Sequence, residues 1–281
     1  MIKFGSAANP DDFYEKGYEN SEQMPKYLYE FGLDAYEYQF SRGVRISDEK
    51  AKKIKDEASK YNIALSVHGP YYISLSTQEP EKQINTIKYI TDSMSGAKKM
   101  GATRVVVHAG ALLGLDREYA VKCACDLLKR AIKVADELNL GDITICPETM
   151  GKINQLGNSK EIIQMCKIDE RLIPTIDFGH LYCRTLGELK TKDDWKSELM
   201  LYINELGIER MKNFHAHFSK MEYTTGGEKC HVTFEREDCG PNEHEVLKAI
   251  KELKLEPTIL CESAGTQSID SKIMKDIYNK L

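Results

Sequence analysis

Histidine and carboxylate side chains recur at the ends of short β-rich runs in this sequence, a pattern that suits metal coordination. His68 and His108 each end an aliphatic run, and Glu148 and Asp177 end the next two. Any one of them alone is adequately explained as a hydrogen-bonded structural residue or a helix cap. Together they are costly to bury unless cations lie among them. Imidazole and carboxylate ligands suit zinc, and manganese or iron also accept them.

The same pattern continues towards the C-terminus. His180 follows Asp177 by three residues, His215 and His217 lie two apart in one run, and Glu262 ends the last run. This set exceeds what one tetrahedral ion can use, so we expect two or three ions. Paired metals about 3.5 to 4 Å apart can activate a water and stabilise the leaving oxygen of a phosphodiester.

Eight β-rich runs alternate with amphipathic stretches along the chain. The runs cover residues 2–7, 35–40, 64–69, 104–110, 143–149, 173–179, 213–219 and 257–263. Helical patterns cover residues 47–61, 81–100 and 117–139, and lie near 193–206, 243–254 and 268–281. Alternating strands and helices predict an α/β protein with a parallel sheet, and eight such units predict a (β/α)₈ TIM barrel with its site at the strand ends. We expect one domain over residues 1–281.

An open, doubly wound sheet is the alternative architecture. It normally carries a glycine-rich phosphate turn after its first strand. The corresponding segment here, Gly5-Ser6-Ala7-Ala8, does not fit G-x-G-x-x-G. The barrel is therefore the favoured prediction.

Composition narrows the class of protein. Hydrophobic residues make up 41% and charged residues 30% of the 281 residues, a balance typical of globular domains. No apolar run approaches the roughly 20 residues that span a membrane, and the N-terminus lacks a secretory signal, so we expect a cytoplasmic protein without a membrane partner. The eight cysteines form no C-x-x-C pair and are expected to be free thiols. A net charge of −5 argues mildly against DNA binding, although bound metal adds local positive charge.

Six motifs resemble, in order and spacing, those of the endonuclease IV family. They are SVHGPYYISL (66–75), VVVHAG (105–110), ICPET (145–149), TIDFGHLY (175–182), HAHFSK (215–220) and ILCES (259–263). The resemblance covers essentially the whole chain. It implies a TIM-barrel apurinic/apyrimidinic endonuclease with three zinc ions, which cleaves DNA 5′ to abasic sites in base excision repair.

Carried over residue by residue, the resemblance implies a ligand set with Glu148 and Glu262 as the catalytic residues. One zinc would take His68, His108 and Glu148, and Glu148 would bridge to a second. The other implied ligands of the second ion are Asp177, His215 and Glu262. The implied ligands of the third ion are His180 and His231.

The chain departs from the family at the third ion. Where the family has D-R-H, this sequence reads Lys229-Cys230-His231, and a charged lysine cannot ligate. Glu228 or Cys230 could substitute, and Lys229 could instead hold a phosphate oxygen. We expect the third ion to be weakly held, with His180 and His231 close in space.

Other departures concern substrate contacts. His217 replaces a family asparagine and is an additional ligand or a phosphate contact. Tyr71 matches an aromatic residue beside the abasic nucleotide, and Tyr72 replaces an aliphatic wedge. Arg42 and Arg45 lie in the short loop after the second strand, where they could touch phosphates.

Two functions remain open on the sequence alone. The first is an endonuclease IV-like phosphodiesterase that acts as a monomer on abasic DNA. The second is a sugar isomerase or epimerase of the related xylose-isomerase-like barrels, which resemble the subset Glu148, Asp177, His215 and Glu262 around one divalent ion. Four further histidines favour the first, since one metal does not require them: His68, His108, His180 and His231.

Overall fold

Eight parallel strands close into a barrel at the centre of the computed structural model, which describes residues 1–281. The strands are β1 Lys3–Ala7, β2 Ala35–Gln39, β3 Ala64–His68, β4 Arg104–His108, β5 Thr144–Glu148, β6 Thr175–Asp177, β7 His215–Phe218, β8 Lys220–Thr224, β9 Gly227–Val232 and β10 Thr258–Cys261. All but β8 and β9 belong to the barrel, in which β10 pairs with both β7 and β1. The predicted TIM barrel is confirmed.

Helices surround the barrel and connect its strands. They are α1 Asp11–Glu15, α2 Met24–Phe31, α3 Asp48–Tyr61, α4 Pro80–Met100, α5 Arg117–Glu137, α6 Ser159–Cys166, α7 Phe178–Arg184, α8 Lys192–Leu206, α9 Ile208–Met211, α10 Glu243–Glu252 and α11 Gln267–Lys280, with a 3₁₀ turn at Ser21–Gln23. Ser47 caps α3, because its hydroxyl accepts the Lys50 amide. No helix combines the length and apolar character needed to cross a membrane.

The core explains why the barrel strands read as apolar runs. Parallel strands covered by helices are buried on both faces, as Val105, Val106 and Val107 of β4 are. On the outer layer, Trp195 of α8 packs edge-on against Phe178 with ring centroids 5.4 Å apart. Polar groups within these strands therefore lie in a largely apolar setting, which makes their positions informative.

An antiparallel hairpin, β8–β9, follows β7 and lies outside the predicted strands and helices. It carries a bulge on β9: Cys230 pairs with Glu222 and Glu228 with Tyr223, so Lys229 has no partner on β8. Gly227 starts β9 with a φ of +90°, a conformation that favours glycine. The hairpin contacts the loop after β5 through a bridge between Lys152 and Gly227.

Candidate metal centre

Glu148, at the end of β5, lies at the centre of the candidate site and is 1% exposed. Its Oε2 atom is 3.2 Å from Nε2 of His68 and 3.3 Å from Nε2 of His108. The Nδ1 atom of His68 lies 2.8 Å from the Gly69 carbonyl oxygen, to which it donates a hydrogen bond in the Nδ1–H tautomer. That bond leaves Nε2 directed at Glu148, as a metal ligand requires.

A second group shares Glu148 and adds Asp177, His217 and Glu262, whose ligand atoms lie within 4.8 Å of one another. Nδ1 of His217 is 2.9 Å from Glu148 and 3.6 Å from Glu262. One Asp177 oxygen accepts the His180 amide and so caps α7, while the other, Oδ2, is buried without a hydrogen-bond partner. A cation beside Oδ2 would neutralise this otherwise costly group, so these residues fit a metal ion.

The structure places His217 in this group, where the sequence predicts His215. The two side chains lie on the same side of β7, but His217 pairs with Asp177 in the sheet and His215 pairs with Thr175, earlier on the strand. Nε2 of His215 is instead 2.8 Å from Glu37. His217 is fully buried beside Glu148, which favours the predicted role of an additional ligand over a phosphate contact.

His180, Glu228 and His231 form a third group, with ligand atoms within 4.8 Å. The rings of His180 and His231 have centroids 5.7 Å apart, and Nε2 of His180 is 3.6 Å from Glu228. The other nitrogens are already engaged: Nδ1 of His180 lies 2.8 Å from the Thr149 carbonyl, and Nδ1 of His231 lies 2.7 Å from the Ser219 hydroxyl. Both rings thus keep Nε2 available for an ion.

Lys229, which the sequence predicts to contact substrate, lies outside this group. Its ammonium pairs with Glu222, and its side chain is 58% exposed. The bulge is the cause, because one extra residue in β9 shifts the alternation of side chains by one. Glu228 therefore shares a face with His231, where regular alternation would place Lys229.

Close packing of backbone brings Glu228 to His180. A Cβ atom on Gly151, in the loop after β5, would lie 2.7 Å from Cβ of Glu228 and 3.1 Å from the His180 ring. A Cβ on Gly227 would lie 2.2 Å from the Gly151 carbonyl oxygen. Only glycine permits these approaches without movement of the hairpin.

The electrostatics of the site show strong coupling between its imidazoles and carboxylates. Burial opposes charge on His68, but hydrogen bonding and attraction to Glu148 outweigh it and raise its pKa to about 9. For His180, burial is likewise outweighed, here by Asp177 and Glu148, and its pKa also rises to about 9. Burial opposes ionisation of Glu148 as well, yet His217 and its other histidine neighbours hold its pKa well below the usual range. A cation that bound here would have to displace protons from these imidazoles.

A cleft of about 440 Å³ opens over the three groups and is bordered by Tyr71. It adjoins a second cleft, of about 580 Å³, lined by Tyr72, Arg42 and Arg45. Tyr71 and Tyr72 lie against each other with ring centroids 4.2 Å apart and are 57% and 45% exposed. The candidate metal centre therefore lies in one part of an open groove that has aromatic and cationic groups along its rim.

The fold and the sequence together identify a family. Residues 25–277 match the family described as xylose isomerase-like TIM barrel. The chain belongs to this family. The predicted relationship to that superfamily is thereby confirmed.

Relatives among the xylose isomerase-like TIM barrels carry different names. An uncharacterized protein of Methanocaldococcus jannaschii is 31% identical over 281 residues, which are 100% of this chain and 98% of the relative. A probable endonuclease 4 of Staphylococcus carnosus is 28% identical over 191 residues, which are 66% of this chain and 62% of the relative.

Solved structures of two kinds resemble this barrel. Endonuclease IV of Thermus thermophilus superposes with a TM-score of 0.71 at 15% identity, covering 99% of this chain and 100% of the other. A D-tagatose 3-epimerase-like protein superposes with a TM-score of 0.69 at 18% identity, covering 99% of both chains. At such identities the likeness establishes the fold, and the choice of function depends on the site.

Proposed function

We propose that this protein is a metal-dependent phosphodiesterase that cleaves DNA 5′ to abasic sites. The observation that carries the proposal is the sharing of Glu148 between two ligand groups, with a third group beside them. A single-ion enzyme has no need for His68, His108, His180 or His231 at these positions. Two or three Zn²⁺ ions suit the mixed imidazole and carboxylate ligands, and Mn²⁺ is the alternative.

The protein's own residues divide the work at the site. Glu148 would bridge two ions, with His68 and His108 on one side and Asp177, His217 and Glu262 on the other. The ions, when bound, would supply a water of lowered pKa and positive charge opposite the phosphate. Glu262 lies at the cleft with its side chain 18% exposed, so its carboxylate is accessible to a substrate positioned there.

The groove favours an extended anionic substrate over a small sugar. Arg42 and Arg45 are exposed in the second cleft, which shares Gln39 and Ser41 with the cleft over the metal centre. A phosphate backbone could follow the arginines while Tyr71 and Tyr72 stack on an unpaired nucleotide. The chain's net charge of −5 makes the bound cations and these local arginines important for DNA binding.

A metal count and a cleavage assay test the proposal together. Protein purified without chelators should contain more than one zinc per chain by elemental analysis. It should nick a duplex containing one abasic site on the 5′ side of that site and leave an undamaged duplex of the same sequence intact. A protein with several ions and no activity on abasic DNA would refute this substrate.

A single-metal sugar isomerase or epimerase is the second candidate. The observation that favours it is the completeness of the group Glu148, Asp177, His217 and Glu262, which can hold one ion without help from the others. In that case two carboxylates would shuttle a proton at a ketose carbon. One ion per chain, together with epimerisation of a free ketose that survives a His68→Gln substitution, would establish this function in place of the first.

A further inference from the structure

We propose that Glu37 is a positioning residue that fixes His217 as an Nδ1 ligand of the metal centre. The inference rests on the proposed metal site and extends it to a carboxylate on β2, the strand on the opposite side of the barrel from β5 and β6. Glu37 is fully buried and does not border the cleft, so it acts through His217 and not on substrate.

The hydrogen bonds around Glu37 specify its role. Its Oε1 atom is 2.9 Å from Nε2 of His217. Its Oε2 atom accepts the hydroxyl of Ser66 at 2.8 Å and lies 2.8 Å from Nε2 of His215. Two imidazole N–H groups and one hydroxyl therefore converge on a carboxylate that has no contact with water.

This arrangement selects one nitrogen of His217 for the ion. An imidazole that donates Nε2–H to Glu37 presents its Nδ1 atom to Glu148 and Glu262, as the observed distances of 2.9 and 3.6 Å require. A carboxylate behind a ligating histidine both fixes the ring and makes it a more basic ligand. His215 and Ser66 in turn fix the Glu37 carboxylate through hydrogen bonds, so His215 acts indirectly on the orientation of His217.

Two simpler roles for this cluster fit the geometry less well. Glu37, His215 and His217 could in principle hold an ion of their own. However, the group offers only three ligands, it does not border the cleft, and Glu37 already accepts three hydrogen bonds, one of them from Ser66. A role as general base fails as well, because a carboxylate buried beneath His217 cannot reach a bound substrate.

Zinc affinity is the first test, measured by competition with a chromophoric chelator. Glu37→Gln keeps the shape of the side chain but removes its charge, and we expect binding to weaken about 10- to 100-fold, as is usual for such partners. Glu37→Asp, which keeps the charge, should recover part of the loss. The matched control is Glu161→Gln, which alters a buried carboxylate that pairs with Arg117 away from the site and should leave zinc affinity unchanged.

Nitrogen-15 NMR of the histidine rings provides a test that does not depend on bound metal. Native protein should show a Nε2–H proton of His217 that is shifted downfield and protected from exchange, assigned by its loss in His217→Gln. Glu37→Gln should shift this resonance, and Ser66→Ala should shift it by a smaller amount. Ser66→Ala provides the test if Glu37→Gln does not fold.

The outcomes separate the two proposals. If the native protein binds no metal but the His217 resonance depends on Glu37, the metal-centre proposal fails and the positioning of His217 stands. If Glu37→Gln has native zinc affinity and an unchanged His217 resonance, the role of Glu37 is refuted whatever the enzyme's substrate.

Discussion

Glu228 and His231 lie three residues apart on one strand, yet both side chains meet His180 on the same face of the hairpin. In a regular strand, residues two apart share a face. Lys229, the extra residue of the β9 bulge, changes this relationship. The carboxylate near His180 is therefore Glu228, one residue before the position of the aspartate in the family triplet. The candidate third site therefore includes a carboxylate, and the Lys229 ammonium pairs with Glu222 instead.

Glu228→Gln should remove the third ion while the other two remain. The amide has no negative charge to offset a cation held by two neutral imidazoles, so we expect the metal content to fall by about one ion per chain by elemental analysis. Glu222→Gln is the matched control, since this carboxylate on the neighbouring strand pairs with Lys229 and Arg236. Equal metal content in both variants would contradict the assignment of Glu228.

Gly151→Ala should have a similar effect without removing any ligand. The added methyl group would meet Cβ of Glu228 at 2.7 Å and push the hairpin away from His180. We expect weaker retention of the third ion during dialysis against a mild chelator, with little change in melting temperature. Gly226→Ala is the control, because its nearest neighbour would be 3.6 Å away, an ordinary contact.

Glu262→Gln should lower turnover by orders of magnitude while the fold survives. The substitution removes one negative charge from the group that contains Asp177 and His217, but the barrel core does not depend on it. The circular dichroism spectrum should match that of the native protein. Glu256→Gln is the control, because Glu256 is a partly exposed carboxylate near Glu262 in the sequence, and this variant should keep full activity. Near-normal turnover of Glu262→Gln would mean that Glu262 is not a ligand.

The metal-free protein should lose stability as the pH rises from about 6.5 to 9. His68 and His180 have pKa values of about 9 in the folded chain, against about 6.5 when unfolded. The folded state thus binds more protons in this interval, so its advantage is complete below pH 6.5 and is lost as pH rises through 9. Urea unfolding of chelator-treated protein at several pH values measures the change. A flat or rising profile would contradict the raised pKa values.

Removing Arg42 and Arg45 together should weaken DNA binding and reduce its dependence on salt. For each phosphate that the protein no longer neutralises, the slope of log affinity against log salt falls by about 1. We expect KM for an abasic duplex to rise with kcat nearly unchanged. A double variant of Lys129 and Lys133, two exposed lysines on α5, is the control. If the arginine variant has native KM and salt dependence, the substrate does not follow this cleft.

Much of the fold could be predicted from the sequence because barrel strands have a simple pattern. Each of the eight predicted runs contains one of the eight barrel strands, and the six predicted helices match within a few residues, as α3 does from its Ser47 cap. Short helices such as α6 and α7 were not predicted, since eight residues or fewer carry little periodicity. The strand-end residues His68, His108, Glu148 and Asp177 were expected together and lie together.

The remainder of the site depends on register and on irregular structure. Alternation places His215 and His217 on one side of β7, but only the pairing with β6 shows that His217 lies level with Asp177. The bulge that brings in Glu228 has no recognisable sequence pattern. Glu37 could have been noticed, because it is an acidic residue in the middle of a strand that a closed barrel buries on both sides.

The bond between His215 and Glu37 joins residues 178 positions apart and crosses from β7 to β2. Contacts of such long sequence separation form slowly, because closing the intervening loop costs conformational entropy. During synthesis, a chain that does not yet include β10 and Glu262 lacks both the full ligand set and a closed barrel. Metal should therefore bind to fully folded molecules and not to partly folded ones. Binding should then increase the stability only of chains in which the first and last barrel strands are paired.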